Sequence, residues 1–146
     1  DLIPTFFAQA GMELPWPMHG RDLSPLLTDA SADWPHPTLL SYTGWTYGSD
    51  TAEIPEEGMD GHSHIAHVPW YAMLREGEFK YIRTYVADET EELYDLANDP
   101  NELTNLAGRP EHADLVRSLR KKAIAELRRT DAPFVDTLPP VRPLNP

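Results

Sequence analysis

The fold this sequence predicts is α+β: an antiparallel sheet of about four strands packed by one long C-terminal helix. Three observations carry that reading. Two β-rich runs, Trp70 to Arg75 and Phe79 to Tyr85, meet at Glu76-Gly77-Glu78, which is a hairpin signature. Two further short apolar runs, Thr38 to Thr43 and Glu91 to Leu96, supply the outer strands. Leu115, Val116, Leu119, Ala123, Ile124 and Leu127 then recur at helical spacing behind Pro110.

Residues 1–10 read as a helix. Asp1 can cap it, Pro4 is tolerated in its first turn, Ile3, Phe6, Phe7 and Ala10 form an apolar stripe, and Gly11 ends it. Pro15, Pro17, Pro25, Pro35 and Pro37 make the following stretch a wrapped, irregular segment. Along the second hairpin strand Phe79, Tyr81 and Tyr85 share one face, with Lys80, Ile82 and Thr84 on the other. Asn98-Asp99-Pro100 stops the fourth strand. Glu111 and Asp114 suit the start of the long helix, Arg128 and Arg129 its end, and Pro133 lies just past it. The organisation expected is therefore 1–37 as a helix and wrapping segment, 38–130 as the α+β subdomain, and 131–146 as a Pro-rich extended tail.

The chain has 146 residues and a net charge of -12, from 24 acidic and 12 Lys or Arg side chains. Such a balance argues against nucleic acid as a partner, because phosphate backbones attract basic faces. No apolar run approaches the ~20 residues of a membrane span, and no signal-peptide pattern is present. Cysteine is absent, which excludes disulfides, thiolate zinc sites and a cysteine nucleophile within these residues. The compartment stays open, since exported and cytoplasmic proteins can both lack cysteine.

Gly44 to Val68 is long, irregular and rich in Gly, His and acids, and loops of that kind inside a compact domain are usually functional or mobile. Asp60, His62, His64 and His67 fall within it, a set of donors that suits a transition metal in chemistry but matches no closed site in spacing. The expectation is no bound metal here. Instead His62, His64, His67, Trp45 and Trp70 are candidates for the rim of a substrate cleft, because aromatic faces and polar tips suit a ring-bearing or sugar substrate. Asp88, Glu89, Glu91 and Glu92 lack the alternating ligands and glycine of a calcium loop and read as a solvated turn. Arg117, Arg120, Lys121, Lys122, Arg128 and Arg129 read as a solvated basic face of the long helix. No Gly-x-Ser-x-Gly or Gly-rich phosphate loop occurs.

Several phrases, in order, resemble the C-terminal end of sulfatases, within the alkaline-phosphatase-like hydrolases. They are Asp1-Leu2-Ile3-Pro4-Thr5 with Ala10-Gly11; Gly20-Arg21-Asp22-Leu23-Ser24-Pro25-Leu26-Leu27; and Met73-Leu74-Arg75-Glu76-Gly77-Glu78-Phe79-Lys80-Tyr81-Ile82. Glu92-Leu93-Tyr94-Asp95-Leu96, Asn98-Asp99-Pro100-Asn101-Glu102 and Thr104-Asn105-Leu106-Ala107 follow and are the most distinctive. The resemblance runs from residue 1 to about 129.

It implies that the chain is the C-terminal portion of a sulfatase, and that the helix at 1–10 is detached from a missing larger α/β domain. It implies a parent that cleaves sulfate esters of small molecules or saccharides, with a formylglycine nucleophile and a divalent cation, Ca²⁺. The Cys/Ser-x-Pro-x-Arg motif that carries this nucleophile is absent here, so no catalytic residue and no cofactor is assigned to this chain. Left alone, the chain is expected to lack activity and to self-associate through Ile3, Phe6 and Phe7. The alternatives are a phosphonate or phosphate monoester hydrolase of the same superfamily, and a non-enzymatic small α+β binding module.

Overall fold

The computed structural model describes residues 1–55 and 68–143. They form two compact units, Asp1–His36 and Pro37–Pro146.

The first unit holds α1 (Leu2–Gln9) and α2 (Ser24–Thr28), the latter a short helix that the sequence reads as irregular. Side chains tie its backbone together. Asp1 Oδ1 accepts from the Arg21 amide at 2.6 Å, and Thr5 Oγ1 accepts from the Leu23 amide at 2.9 Å. Gly20 is dictated by this closeness, because a Cβ there would lie 2.6 Å from the Asp1 nitrogen. Thr5 is buried, whereas Ile3 and Phe6 of the predicted apolar stripe are 54% and 64% exposed, Leu2 beside them is 65% exposed, and Phe7 is half-buried rather than outward-facing.

The second unit is a four-stranded antiparallel sheet in the order β1-β2-β3-β4, made of Thr38–Tyr42, Tyr71–Glu76, Phe79–Thr84 and Glu92–Asp95. The β2–β3 hairpin closes with Glu76 opposite Phe79, and Gly77 supplies the positive φ on which such a short loop opens. Across one face of α3 (Ala113–Arg129), Val116, Leu119, Ala123 and Leu127 are buried. They pack on the sheet face that carries Ala72, Leu74, Tyr81 and Leu93. The alternation read from the sequence fixes this face: Leu74 lies opposite Tyr81, and Tyr81 opposite Leu93. The 3-10 turn Pro110–His112 leads into α3, as Pro110 prescribes.

Residues past α3 do more than extend. A 3-10 turn at Val135–Thr137 follows Phe134, which is buried among Trp70, Ala72, Tyr85 and Leu127. Among the described residues no helix is long and apolar enough to cross a membrane.

Candidate functional site

The loop leaving β1 is built to hold its backbone still and its rings outward. Thr43 Oγ1 donates to the Thr46 carbonyl at 2.6 Å, and the Thr46 amide returns to the Thr43 carbonyl at 3.0 Å. Gly44 and Gly48 take positive φ, and a 3-10 turn spans Gly48–Thr51, where the buried Thr51 hydroxyl donates to the Gly48 carbonyl. Between these anchors Trp45 is 73% exposed and Tyr47 80%. Of the other rim candidates, Trp70 is only 2% exposed and packs on Phe134 with ring centroids 6.2 Å apart. Its indole belongs to the core, because Tyr85 and the residues after α3 cover the start of β2. His62, His64 and His67, with Asp60, lie outside the described residues.

On the sheet face opposite α3, Leu40 is exposed and Tyr71, Met73 and Ile82 are half-buried. Leu40, Tyr71, Met73 and Ile82, with Val68 and Pro69, line a shallow concavity there, bordered by Lys80, Thr84 and Glu92. Tyr42 stacks on Tyr71 at 5.2 Å beside it. Lys80 is engaged by Glu102 at 2.6 Å, and the Tyr94 hydroxyl donates to Glu92 at 2.6 Å. The Glu92 carboxylate pushes the Tyr94 hydroxyl up to about 12. The charged border is thus largely occupied by its own partners, which leaves apolar surface as the chief feature of this face.

The acidic run is where the structure corrects the sequence most sharply. Glu91 is not solvated: it is 1% exposed. Its carboxylate accepts from the Tyr81 hydroxyl and from both Nε and Nη2 of Arg120, the Nε contact being 2.6 Å. Arg120 therefore turns inward from the basic helix rather than joining its solvated face. Burial, then the bond to Glu91, drives the Tyr81 hydroxyl well above the ordinary tyrosine range. This bidentate, charge-assisted cluster joins β3, the start of β4 and α3. Sequence inspection has no local signal for it, since its members are 10 and 29 residues apart.

The distinctive phrases from Glu92 to Ala107 also prove structural. Asp95 Oδ1 accepts from the Ala97 and Asn98 amides, and Oδ2 from the Asn98 side chain, which lowers the Asp95 pKa. Asn105 brackets the edge strand β4: its Oδ1 accepts from the Leu93 and Ala107 amides, and its Nδ2 donates to the Glu91 carbonyl. Asn105 thereby satisfies the Leu93 amide on the edge strand, and Asp95 the amides of the turn that follows it. None of them is placed for chemistry.

Among the described residues no group of three His, Cys, Asp or Glu side chains could hold a metal ion. The formylglycine motif is absent from the sequence. These residues do not fit the cation and nucleophile that the sulfatase resemblance implies, and no catalytic step is derived through either.

Residues 1–130 match the family described as N-sulphoglucosamine sulphohydrolase, C-terminal. The chain is 31% identical over 122 residues to N-acetylglucosamine-6-O-sulfatase of Bacteroides thetaiotaomicron, covering 82% of this chain and 19% of that protein. A protein solved in complex with its substrate D-glucosamine-2-N,6-O-disulfate superposes with a TM-score of 0.65 at 26% identity, over 91% of this chain and 25% of the other. A phosphonate monoester hydrolase from Silicibacter pomeroyi superposes with a TM-score of 0.62 at 25% identity, over 92% of this chain and 26% of the other. The chain spans about a fifth of the length of the curated relatives it matches.

Proposed function

This chain belongs to the sulfatase C-terminal family of the alkaline-phosphatase-like superfamily, and from that membership we propose that it serves a sulfuric ester hydrolase as a scaffold and specificity element. The observation that carries the reading is the family match across residues 1–130, joined to a fold that reproduces the sulfatase C-terminal sheet and helix. Nucleophile, cation and leaving-group acid are assigned to the rest of the polypeptide, which in the relatives makes up about four-fifths of the length.

Two surfaces support such a division of labour. The half-buried sheet face around Tyr71, Met73 and Ile82 is an apolar seat of the kind one protein layer offers another. The outward stripe Leu2, Ile3 and Phe6 is a second, and in isolation we expect it to drive self-association. A free-standing binding module has no use for both.

The substrate proposed is a sulfated saccharide. One relative is an N-acetylglucosamine-6-O-sulfatase, a similar structure holds D-glucosamine-2-N,6-O-disulfate as its substrate, and Trp45 and Tyr47 offer exposed ring faces of the sort sugars stack on. His62, His64 and His67 complete the proposed rim, whereas Trp70 is buried against Phe134 and is left out of it. The likeness to a phosphonate monoester hydrolase keeps a second reading alive, in which the parent acts on phosphonate or phosphate monoesters.

The test uses the full-length enzyme with glucosamine 6-O-sulfate, 4-nitrophenyl sulfate and a 4-nitrophenyl phosphonate ester. Sulfate turnover should exceed phosphonate turnover. Trp45→Ala, His64→Ala and His67→Ala should each lower kcat/KM for the sugar sulfate roughly tenfold or more, with a smaller loss on the aryl ester. Equal, small losses on both sulfates would remove the rim role, and faster phosphonate turnover would install the second reading.

A further inference from the structure

The family match ends at residue 130, yet the residues beyond it are bound into the fold. Phe134 is 3% exposed and sits 5.0 Å from Tyr85 and 6.2 Å from Trp70, measured between ring centroids. Arg83, 9% exposed on the inner face of β3, gives its Nη2 hydrogen to the Pro139 carbonyl. No carboxylate is paired with this buried cation among the described ion pairs, so a backbone carbonyl from the tail is what answers it. Asp136 anchors the segment to the end of α3 through Arg128 at 3.0 Å.

The grip is tightest at one residue. Asp88 stands at φ 58, a left-handed conformation that non-glycine residues adopt rarely. The tail holds both of its backbone groups. The Asp88 amide donates to the Pro140 carbonyl at 3.1 Å, and Arg142 Nε donates to the Asp88 carbonyl at 2.8 Å. The Arg142 amide adds a third bond, to the Glu89 carbonyl at 3.0 Å. The turn so held runs directly into Glu91, whose carboxylate joins the sheet to α3.

We propose that residues 132–142 form a C-terminal clasp, a separable latch. It docks an aromatic anchor and the Pro139 carbonyl into a groove of the α+β unit and fixes the Asp88 turn with the Pro140 carbonyl. The groove is made by Trp70, Tyr85, Leu127 and Arg83. Phe134 fills it, and the proline-containing segment after the 3-10 turn Val135–Thr137 is hydrogen-bonded to the turn at Asp88 and Glu89. Prolines suit this role because they restrict the segment before it docks and so reduce the ordering cost. The test of the clasp is independent of any activity.

Amide hydrogen exchange on the full chain provides that test. In the unaltered chain the Asp88 and Arg142 amides should exchange far more slowly than unstructured peptide. Phe134→Ala should speed both by about tenfold or more, while the amides of Val116 to Ala123 within α3 keep their protection. Arg83→Met, which removes the buried cation but keeps its stem, should loosen the Arg142 amide in the same way. Three results would each overturn the proposal. One is an Arg142 amide that exchanges freely in the unaltered chain. Another is no change on Phe134→Ala. The third is loss of protection throughout α3 together with the tail, which would make Phe134 an ordinary core residue and not the anchor of a latch.

Discussion

Replacing Glu91 by Ala should be among the most damaging single changes in the α+β unit, although the sequence places it in an acidic turn. The carboxylate is 1% exposed and accepts three hydrogen bonds, one from Tyr81 and two from Arg120. Removing one partner of a buried ion pair costs about 3–5 kcal/mol. Arg120 is 27% exposed and can swing part of its guanidinium to water, so the lower end, about 3 kcal/mol, applies. The Tyr81 hydroxyl, left buried and unpaired, adds about 1 kcal/mol. The expected loss is therefore about 4 kcal/mol, or roughly 15–20 °C in Tm for a unit of this size. Urea unfolding followed by far-ultraviolet circular dichroism measures it. Tyr81→Phe should cost only about 1 kcal/mol, because Glu91 keeps both contacts to Arg120. Replacing Glu91 and Arg120 together by Leu should cost less than Glu91→Ala alone, since no charge is then stranded. A Glu91→Ala loss below about 1 kcal/mol would refute the reasoning. So would additivity of Glu91→Ala and Arg120→Ala to within about 0.5 kcal/mol.

Two more predictions follow from burial and exposure. Burial raises Tyr85 to about 12, and Tyr81 higher still, from an unfolded value of 10.0. Because the folded state holds these protons longer, their contribution is intact below pH ~10 and falls as pH rises, by up to about 1.4 kcal/mol per unit for each hydroxyl. Denaturation midpoints should therefore decline above pH ~10, and Tyr81→Phe should make the decline shallower; a midpoint flat to pH ~12 would contradict it. The isolated chain should self-associate through Leu2, Ile3 and Phe6, and Ile3→Glu with Phe6→Glu should restore a monomer by light scattering; an unaltered chain that is monomeric at high concentration would remove this expectation.

The legible part of this fold is the part written in short-range patterns. Alternation from Phe79 to Tyr85 assigns one face to the core, and the structure puts Tyr81 and Tyr85 there. Helical spacing after Pro110 names Val116, Leu119, Ala123 and Leu127, the four residues α3 buries. Glu76-Gly77-Glu78 is local turn chemistry and needs nothing distant to be read. What stays hidden depends on partners far along the chain. Glu91 looks solvated beside Asp88, Glu89 and Glu92 until Arg120 is brought to it across 29 residues. Phe134, alone among prolines, carries no periodicity, and only the cluster with Trp70 and Tyr85 shows why it is apolar. Trp70 fails as a rim candidate for the same reason: exposure of an aromatic is a tertiary property, and the ring's chemistry does not report it.

The phrases that identify the family repay the same scrutiny, because their residues solve backbone problems. Gly20 lets two chain segments approach to a distance that any side chain would forbid. Asp22 accepts from the amide and the hydroxyl of Ser24 at the start of α2. Asp95 closes the turn after β4, and Asn105 occupies the open edge of that strand with three hydrogen bonds. Solutions of this kind depend on geometry and are indifferent to substrate, so a sulfatase and a phosphonate hydrolase can share them, and the structural likenesses include both. Trp45 and Tyr47 stand at the other extreme. Their backbone is pinned by Thr43, Thr51 and two positive-φ glycines, while their rings touch mainly solvent. A pinned loop can exchange its rings without disturbing the sheet, and the rim role proposed for Trp45 and Tyr47 rests on that. The residues that reveal the family are therefore scaffold residues, and the rim role proposed for Trp45 is tested by substitutions on the loop that follows β1, which leave those scaffold contacts in place.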